Sequence, residues 1–335
     1  MKSPLVVLAP ALNHGGHAED GDNDIFIYRG GRAPQHVTHV LIDKSVDDIE
    51  DKAFYYCWNL VRVDTHDGIR RVGTRAFYCC KSLRRINLKS VVEIDEYAFY
   101  NCGNLESVEF GDRLEIIGNR AFVSCESLNN HLKLPSIITI GDGAFSTCKC
   151  LRDVEFSERL ETIGYGAFWK CERLQRIAIP LKRDLFVFSH ISHKYSQFIS
   201  CDQLTTVDLV GGNHKTVASL HMESWRTEMI SEINRINQIL PTTPEDEQTE
   251  EIRQWMNSVM DKLDHYKSKH YRYVKEGITL MELALWKAKL GESEEYAEGE
   301  TKKAKVDAQS YRRDKRITCG ADIVIKNVLP FLRLK

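Results

Sequence analysis

Ile163-Gly164-Tyr165-Gly166-Ala167-Phe168-Trp169-Lys170-Cys171-Glu172-Arg173-Leu174 decides how this chain is read, because its frame recurs through half the sequence. The central pattern, Ala-Phe-x-x-Cys-x-x-Leu, begins at Ala53, Ala76, Ala98, Ala121, Ala144 and Ala167, a step of 22 or 23 residues. A degraded copy follows at Phe198, Cys201 and Leu204. Self-similarity at such a period marks a stacked solenoid, in which each unit buries its apolar edge only against its neighbours.

One unit, 105–128, shows how the layers arise. Leu105, Val108 and Phe110 alternate as a short strand, with Ser107 and Glu109 turned outward. Leu114 and Ile117 form a second apolar ridge after Gly111-Asp112. Gly118 then leads into a helical turn carrying Ala121, Phe122 and Cys125. Three-residue steps put Phe, Cys and Leu on one face of that turn. The residue before the turn is Glu50, Gly73, Asp95, Gly118, Gly141 or Gly164 in successive units, so the site does not demand positive φ. The fourth unit departs from rule: His131-Leu132-Lys133-Leu134 shifts the strand by one residue, which predicts a local bulge or loop adjustment.

The passage Ile163 to Cys171, continuing to Ile177-Ala178-Ile179-Pro180, resembles the BspA-like leucine-rich repeat family. The resemblance covers about Val37 to Leu209 in six in-register copies. It implies a solenoid of short strands and turns, and a binding or adhesive module of a kind found in bacteria, protists and algae. The family carries no catalytic residues to transfer. The tail is similar to the helical extension after such repeats in uncharacterised algal proteins.

Seven of the ten cysteines, Cys57, Cys80, Cys102, Cys125, Cys148, Cys171 and Cys201, hold one place in successive units. They read as core thiols, since free Cys packs as a small apolar residue with a weak donor. Equivalent Cβ vectors in a stack run parallel, so bridging them would need distortion. Cys79, Cys150 and Cys319 lie outside the register, and no C-x-x-C pair begins a zinc site. A net charge of −2 over 335 residues, with 28% charged and 42% apolar, gives no general attraction to nucleic acid or anionic lipid. No apolar run approaches the roughly 18 residues that span a bilayer. Leu5 to Ala11 is a weak secretory signal interrupted by Pro10, and Asn-x-Ser/Thr is absent. A cytoplasmic protein is expected, with secretion as the alternative.

The organisation expected is a disordered tail over 1–23, a capped leucine-rich repeat solenoid over 24–212, and an α-helical domain over 213–290. A charged linker over 291–316 and a helical segment over 317–335 that docks on the helical domain complete the chain. The fold class is therefore an α/β repeat solenoid, a short strand plus helical turn per unit, followed by an all-α domain. Ile25-Phe26-Ile27-Tyr28 before Gly30-Gly31 reads as the covering strand at the front. Val217, Leu220, Trp225, Met229, Ile233, Ile236 and Leu240 follow helical steps, ended by Pro241 and Pro244. Thr249 is the expected N-cap of a second helix, with Ile252, Trp255, Val259, Leu263 and Tyr266 on its apolar side. Gly277 is expected to break that run, and Ile278 to Leu290, apolar nearly all round, to be buried.

No residue set points to catalysis, a cofactor or a metal. Gly211-Gly212-Asn213-His214-Lys215-Thr216 lacks the glycine before Lys-Thr that a phosphate loop needs, and reads as the turn leaving the solenoid. His14 and His17 among acidic neighbours sit in the tail, and His265 and His270 are out of step for one helical face. Two outward ladders remain. Immediately after each repeat Phe come Tyr55, Tyr78, Tyr100, Val123, Ser146 and Trp169, a stripe aromatic at both ends. On the strand side stand Arg62, Arg85, Ser107, Asp153, Arg176 and Thr206. The reading is a non-catalytic scaffold that binds another protein through Tyr55, Tyr78, Tyr100 and Trp169, or through Arg62, Arg85, Asp153 and Arg176. A secreted or surface adhesin is the alternative.

Overall fold

The computed structural model describes residues 25–128, 130–187 and 197–297, and only the backbone of 288–297. The expected tail over 1–23, residues 298–316 of the linker and the segment 317–335 lie outside the described residues. The chain divides into two compact units, one within Met1–Val217 and Ile230–Met260, the other within Ala218–Met229 and Asp261–Lys335.

In the first unit each coil contributes two strands and a turn segment. The longer strands Ile25–Tyr28, His39–Ile42, Arg62–Asp64, Arg85–Leu88 and Ser107–Phe110 form one five-stranded sheet. His131–Lys133, Asp153–Glu155, Arg176–Ile179 and Thr206–Leu209 form a separate four-stranded sheet. Six two-residue strands, from Asp48–Ile49 to Thr162–Ile163, build a third sheet that runs through without interruption. All pairings are parallel and in register, Ile86 against Val108 and Ile177 against Val207, for example. The alternation in Arg85–Leu88 is exposed, buried, exposed, buried, as half-covered strands require. The irregular fourth unit therefore does more than bulge: the longer-strand sheet breaks between Ser107–Phe110 and His131–Lys133.

The turn segments form a third side of the coil, and their backbone is not that of a helix. Each holds two left-handed residues four apart: Lys52 and Tyr56 at φ 58° and 60°, Arg75 and Cys79 at 56° and 60°, Tyr97 and Asn101 at 57° and 58°. Left-handed backbone costs a non-glycine residue roughly 1–2 kcal/mol. Hydrogen bonds between coils offset it: Lys52 N–H donates to the Thr74 carbonyl at 2.9 Å, Phe54 to Ala76 at 2.7 Å and Tyr56 to Tyr78 at 2.9 Å.

The inner side of this layer is one aromatic column. Tyr28 of the covering strand lies 4.9 Å from Phe54, and Phe54, Phe77, Phe99, Phe122, Phe145, Phe168 and Phe198 follow with centroids 4.9 to 5.7 Å apart. Every one of these rings is fully buried. Beside it runs a sulfur ladder: Cys80 Sγ–H donates to the Phe54 carbonyl at 3.1 Å, and Cys102, Cys125, Cys148, Cys171 and Cys201 repeat the bond to the preceding Phe. The nine described cysteines are free, and Cys319 lies outside the described residues.

Both ends of the sheet stack are closed. Ile25–Tyr28 pairs with His39–Ile42 at the front. At the back, Val207 N–H of the last longer strand donates to Asn237 Oδ1 at 2.7 Å, so a side chain satisfies an edge amide. Gly211 and Gly212, at φ 78° and 81°, turn the chain out into helix α1, Asn213–Val217. Helices α2, Glu223–Ile239, and α3, Gln248–Ala297, follow, separated by a 3-10 turn at Leu240–Thr242 before Pro244. Ile233, Ile236, Ile252, Trp255 and Val259 are buried in this unit, and Trp255 Nε1–H donates to the Glu232 carbonyl at 3.1 Å.

Three expectations for the helices are corrected. Thr249 is not an N-cap: α3 starts at Gln248, and the buried Thr249 hydroxyl accepts the Phe198 N–H at 3.4 Å instead. Gly277 does not break α3, which passes through it. A glycine inside a helix costs about 1 kcal/mol, which a long helix tolerates. Nor is the segment after Ile278 buried: Leu280, Leu283, Leu285 and Trp286 are exposed. In this second unit Trp225 stacks on Tyr266 at 5.0 Å and reaches Tyr273 at 6.4 Å, and His221 stacks on His270 at 4.2 Å. Apolar composition beyond Tyr273 therefore does not bring burial: Met281 as well is half exposed.

Candidate functional site

The outer side of the turn layer carries the stripe foreseen after each Phe. Tyr55 and Tyr78 stack with centroids 5.1 Å apart, Tyr78 and Tyr100 with centroids 4.8 Å apart and planes within 7°. Arg32 covers the free face of Tyr55 at 5.3 Å. The stack ends at Tyr100, which also meets Tyr97 edge-on at 5.6 Å, because the next two coils place Val123 and Ser146 in that row before Trp169. Burial, then the neighbouring Cys79 and the surrounding tyrosines, raise the Tyr78 hydroxyl above its ordinary value, so that hydroxyl is uncharged at neutral pH.

A second row runs alongside, three residues earlier in each coil: Lys52, Arg75, Tyr97, Arg120, Gly143 and Gly166. These are the left-handed positions themselves. Tyr97 lies between two cations, with Arg75 at 5.0 Å and Arg120 at 5.6 Å from its centroid. Arg120 Nη1 also donates to the Tyr97 hydroxyl at 2.6 Å. Among the described residues neither guanidinium has an ion-pair partner. Together the two rows line a groove of about 940 Å³, within the roughly 300–1,000 Å³ typical of ligand sites. Its floor is bare where Gly143, Ser146 and Gly166 follow one another, and Asp142 and Tyr165 stand at its edge.

Arg75, Tyr97 and Arg120 were not picked out from sequence, although the three-residue step back from the tyrosine row would have found them. The strand side behaves differently. Its sheet break parts the four expected residues: Arg62 and Arg85 are neighbours on the first sheet, Asp153 and Arg176 on the second. Its charges are mostly paired among themselves, Arg62 with Asp64 at 2.8 Å, Lys89 with Glu109 at 2.9 Å and Arg176 with Asp208 at 2.6 Å.

Nucleophilic chemistry finds no support in the sulfur ladder. Burial pushes the Cys57 thiol up to about 11 and Cys171 up to about 12, and raises Cys80, Cys102, Cys148 and Cys201 well above the ordinary range. Such thiols hold no thiolate at neutral pH. Among the described residues no group of three or more His, Cys, Asp or Glu is placed to hold a metal ion. No described helix is long and apolar enough to cross a membrane.

Residues 35–136 and 129–239 match the BspA type leucine rich repeat region, with six copies. Among solved structures, a leucine rich repeat protein of T. pallidum is 26% identical over 55% of this chain and 72% of its own, with a TM-score of 0.36. A leucine rich cell surface protein of Faecalibacterium prausnitzii is 21% identical over 52% and 64%, at a TM-score of 0.33. A leucine-rich repeat protein of Bacteroides ovatus is 22% identical over 52% and 61%, at 0.35. No curated protein matches the chain.

Proposed function

Because the chain belongs to the BspA-type leucine-rich repeat family, whose repeats generally serve binding rather than catalysis, we propose that it is a non-catalytic scaffold for another protein, and that its binding face is the outer side of the turn layer. The observation that carries this reading is the groove: half-buried aromatic rings and unpaired guanidiniums around a bare backbone floor. Tyrosine and arginine give large contact area and directional bonds at small entropic cost, and interface anchors are enriched in both. The strand side, with most of its charges matched to one another, has less to offer a partner.

The test is affinity capture from a lysate of the source organism, with intact chain and two triple variants as bait. Tyr55, Tyr78 and Tyr100→Ser should strip the captured set while the melting temperature holds. Arg62, Arg85 and Arg176→Ala should leave it. An unchanged profile for the tyrosine variant sinks the assignment of this face. Nine free thiols suit a reducing compartment, so the proposal takes the scaffold to be cytoplasmic; recovery of the native protein only from medium or cell surface would favour an adhesin instead.

A further inference from the structure

Two coils of the turn layer leave out side chains that the fold does not require them to leave out. The left-handed position is held by Lys52, Arg75, Tyr97 and Arg120 elsewhere, so a side chain is compatible with it. At Gly166 an added Cβ would meet nothing nearer than Trp169 Cβ at 3.8 Å, ordinary contact. By contrast, a Cβ at Gly164 would lie 2.5 Å from the backbone of Asp142, where glycine is a packing necessity. At Gly143 a Cβ would come within 3.3 Å of Arg120 Cγ, a tight but flexible neighbour. The notch over Gly143, Ser146 and Gly166 is thus open by composition at Gly166 and closely flanked by Arg120 at Gly143.

What faces this notch selects its occupant. One wall is Val123, which the next coil places in the row after Tyr100, the last ring of the tyrosine stack. The far end is Trp169, with Lys170 over its ring at 4.5 Å. Next to it stand Arg120 and, beyond Tyr97, Arg75. Coils repeat at about 4.8 Å, so Arg75 and Arg120, two coils apart, lie about 10 Å apart along the stack. That is close to one turn of a polyproline II peptide, which returns a side chain to the same face every three residues at about 3.1 Å each. Against Arg75, Arg120 and Lys170 the groove sets one carboxylate, Asp142, and this already accepts the Tyr165 N–H at 2.8 Å.

Resting on the binding face named above, we propose that this groove takes an acidic peptide segment in polyproline II conformation: two carboxylates three residues apart on Arg75 and Arg120, and an aromatic side chain set in the notch between Val123 and Trp169. Planar guanidinium forks suit carboxylates, and Tyr97 holds both in place in advance. A single-stranded nucleic acid fits less well, because successive bases need successive free ring faces, and Tyr55, Tyr78 and Tyr100 spend theirs on one another. An acidic glycan would meet the same shortage.

The experiment uses full-length protein and a fluorescent twelve-residue peptide carrying two glutamates three apart and a tryptophan two residues beyond the second. Comparison peptides replace the glutamates by lysine, or the tryptophan by serine. Anisotropy titration should show the first peptide binding at least about tenfold tighter than either comparison, a difference of about 1.4 kcal/mol. The Arg75→Gln, Arg120→Gln double variant should lower its affinity by about tenfold with a melting temperature near that of the parent. Gly166→Tyr should abolish binding by filling the notch, with a melting temperature lowered only by the modest cost of its left-handed backbone and a native far-ultraviolet spectrum. Equal affinity for the three peptides overturns the proposal, as does binding indifferent to those substitutions. Tighter binding of an oligouronate or of a single-stranded oligonucleotide overturns it in favour of that class. If the acidic peptide fails while the triple tyrosine variant still loses its captured proteins, the peptide chemistry falls and the face stands. If that variant captures everything, both fall.

Discussion

The turn layer and the strand layer of the same coils solve the same stacking problem with different chemistry. Strands stack through extended backbone, bury single aliphatic side chains such as Ile86 and Val154, and match their outer charges to one another. Turns stack through left-handed backbone, bury an unbroken phenylalanine column, and leave outer cations resting on tyrosine. A layer whose surface interactions are already satisfied mainly keeps the protein soluble. One that presents charge and ring faces without partners has interactions left to make with another molecule. Binding is therefore expected on the turns, even though the strands look more charged in sequence.

Four measurements would break or sharpen that contrast. The largest effect should come from Phe99→Ala, which removes a ring stacked on both faces and costs about 3–5 kcal/mol in urea unfolding. Its immediate neighbour on the outer side, Tyr100→Ser, should cost about 1 kcal/mol or less. Equal costs would erase the distinction between an inner column that holds the fold and an outer row free to vary.

The next effect is a pH dependence that belongs to the turns, since they hold the buried thiols. Burial favours the neutral thiol, so the folded chain keeps protons that the unfolded chain releases above its ordinary thiol value near 9.0. Stability from Cys171 is therefore full below pH 9 and declines as pH rises toward about 12. Thiolate ultraviolet absorbance appearing in the native protein at pH 9, before unfolding, would contradict the burial argument.

In the strand layer, Asn237→Ala should cost about 1–3 kcal/mol, because it leaves the Val207 N–H without its acceptor. Hydrogen exchange at that amide should accelerate with it. The smallest effect is expected for Arg62→Ala, which breaks a surface pair with Asp64 and should change stability by no more than about 1 kcal/mol, less at high salt. A larger, salt-independent loss would mean that the strand face is less self-contained than its pairing implies.

Much of this was legible before the structure. The recurring Phe and Cys announced the column and the sulfur ladder, and Ile25 to Tyr28 announced the covering strand. Helical spacing picked out Trp225, Ile236, Trp255 and Val259, all of them buried. The misses share a physical cause. Left-handed positions mostly carry Lys, Arg, Tyr, Cys, Ser and Thr, with Asn101, Gly143 and Gly166 the exceptions, so no consistent glycine or asparagine signal marked them. Thr249 and Gly277 were assigned by local preference, worth about 1 kcal/mol each, and tertiary contacts or helix continuity outweighed it. Apolar residues after Ile278 promised burial, which depends on a neighbour that sequence periodicity does not supply.

From the sequence alone came the coil period, the identity of every phenylalanine in the column and the absence of a zinc-type cysteine spacing, because an apolar side chain repeating every 22 or 23 residues can be buried only by stacking on its own copies. Tertiary structure alone decided that the longer-strand sheet breaks at the fourth unit, that Arg75 and Arg120 flank Tyr97, and that three small residues leave a notch between Val123 and Trp169. Those features lie between coils, in distances across the stack, and residues some 22 or 45 positions apart become neighbours only once the turns have set the coils in register.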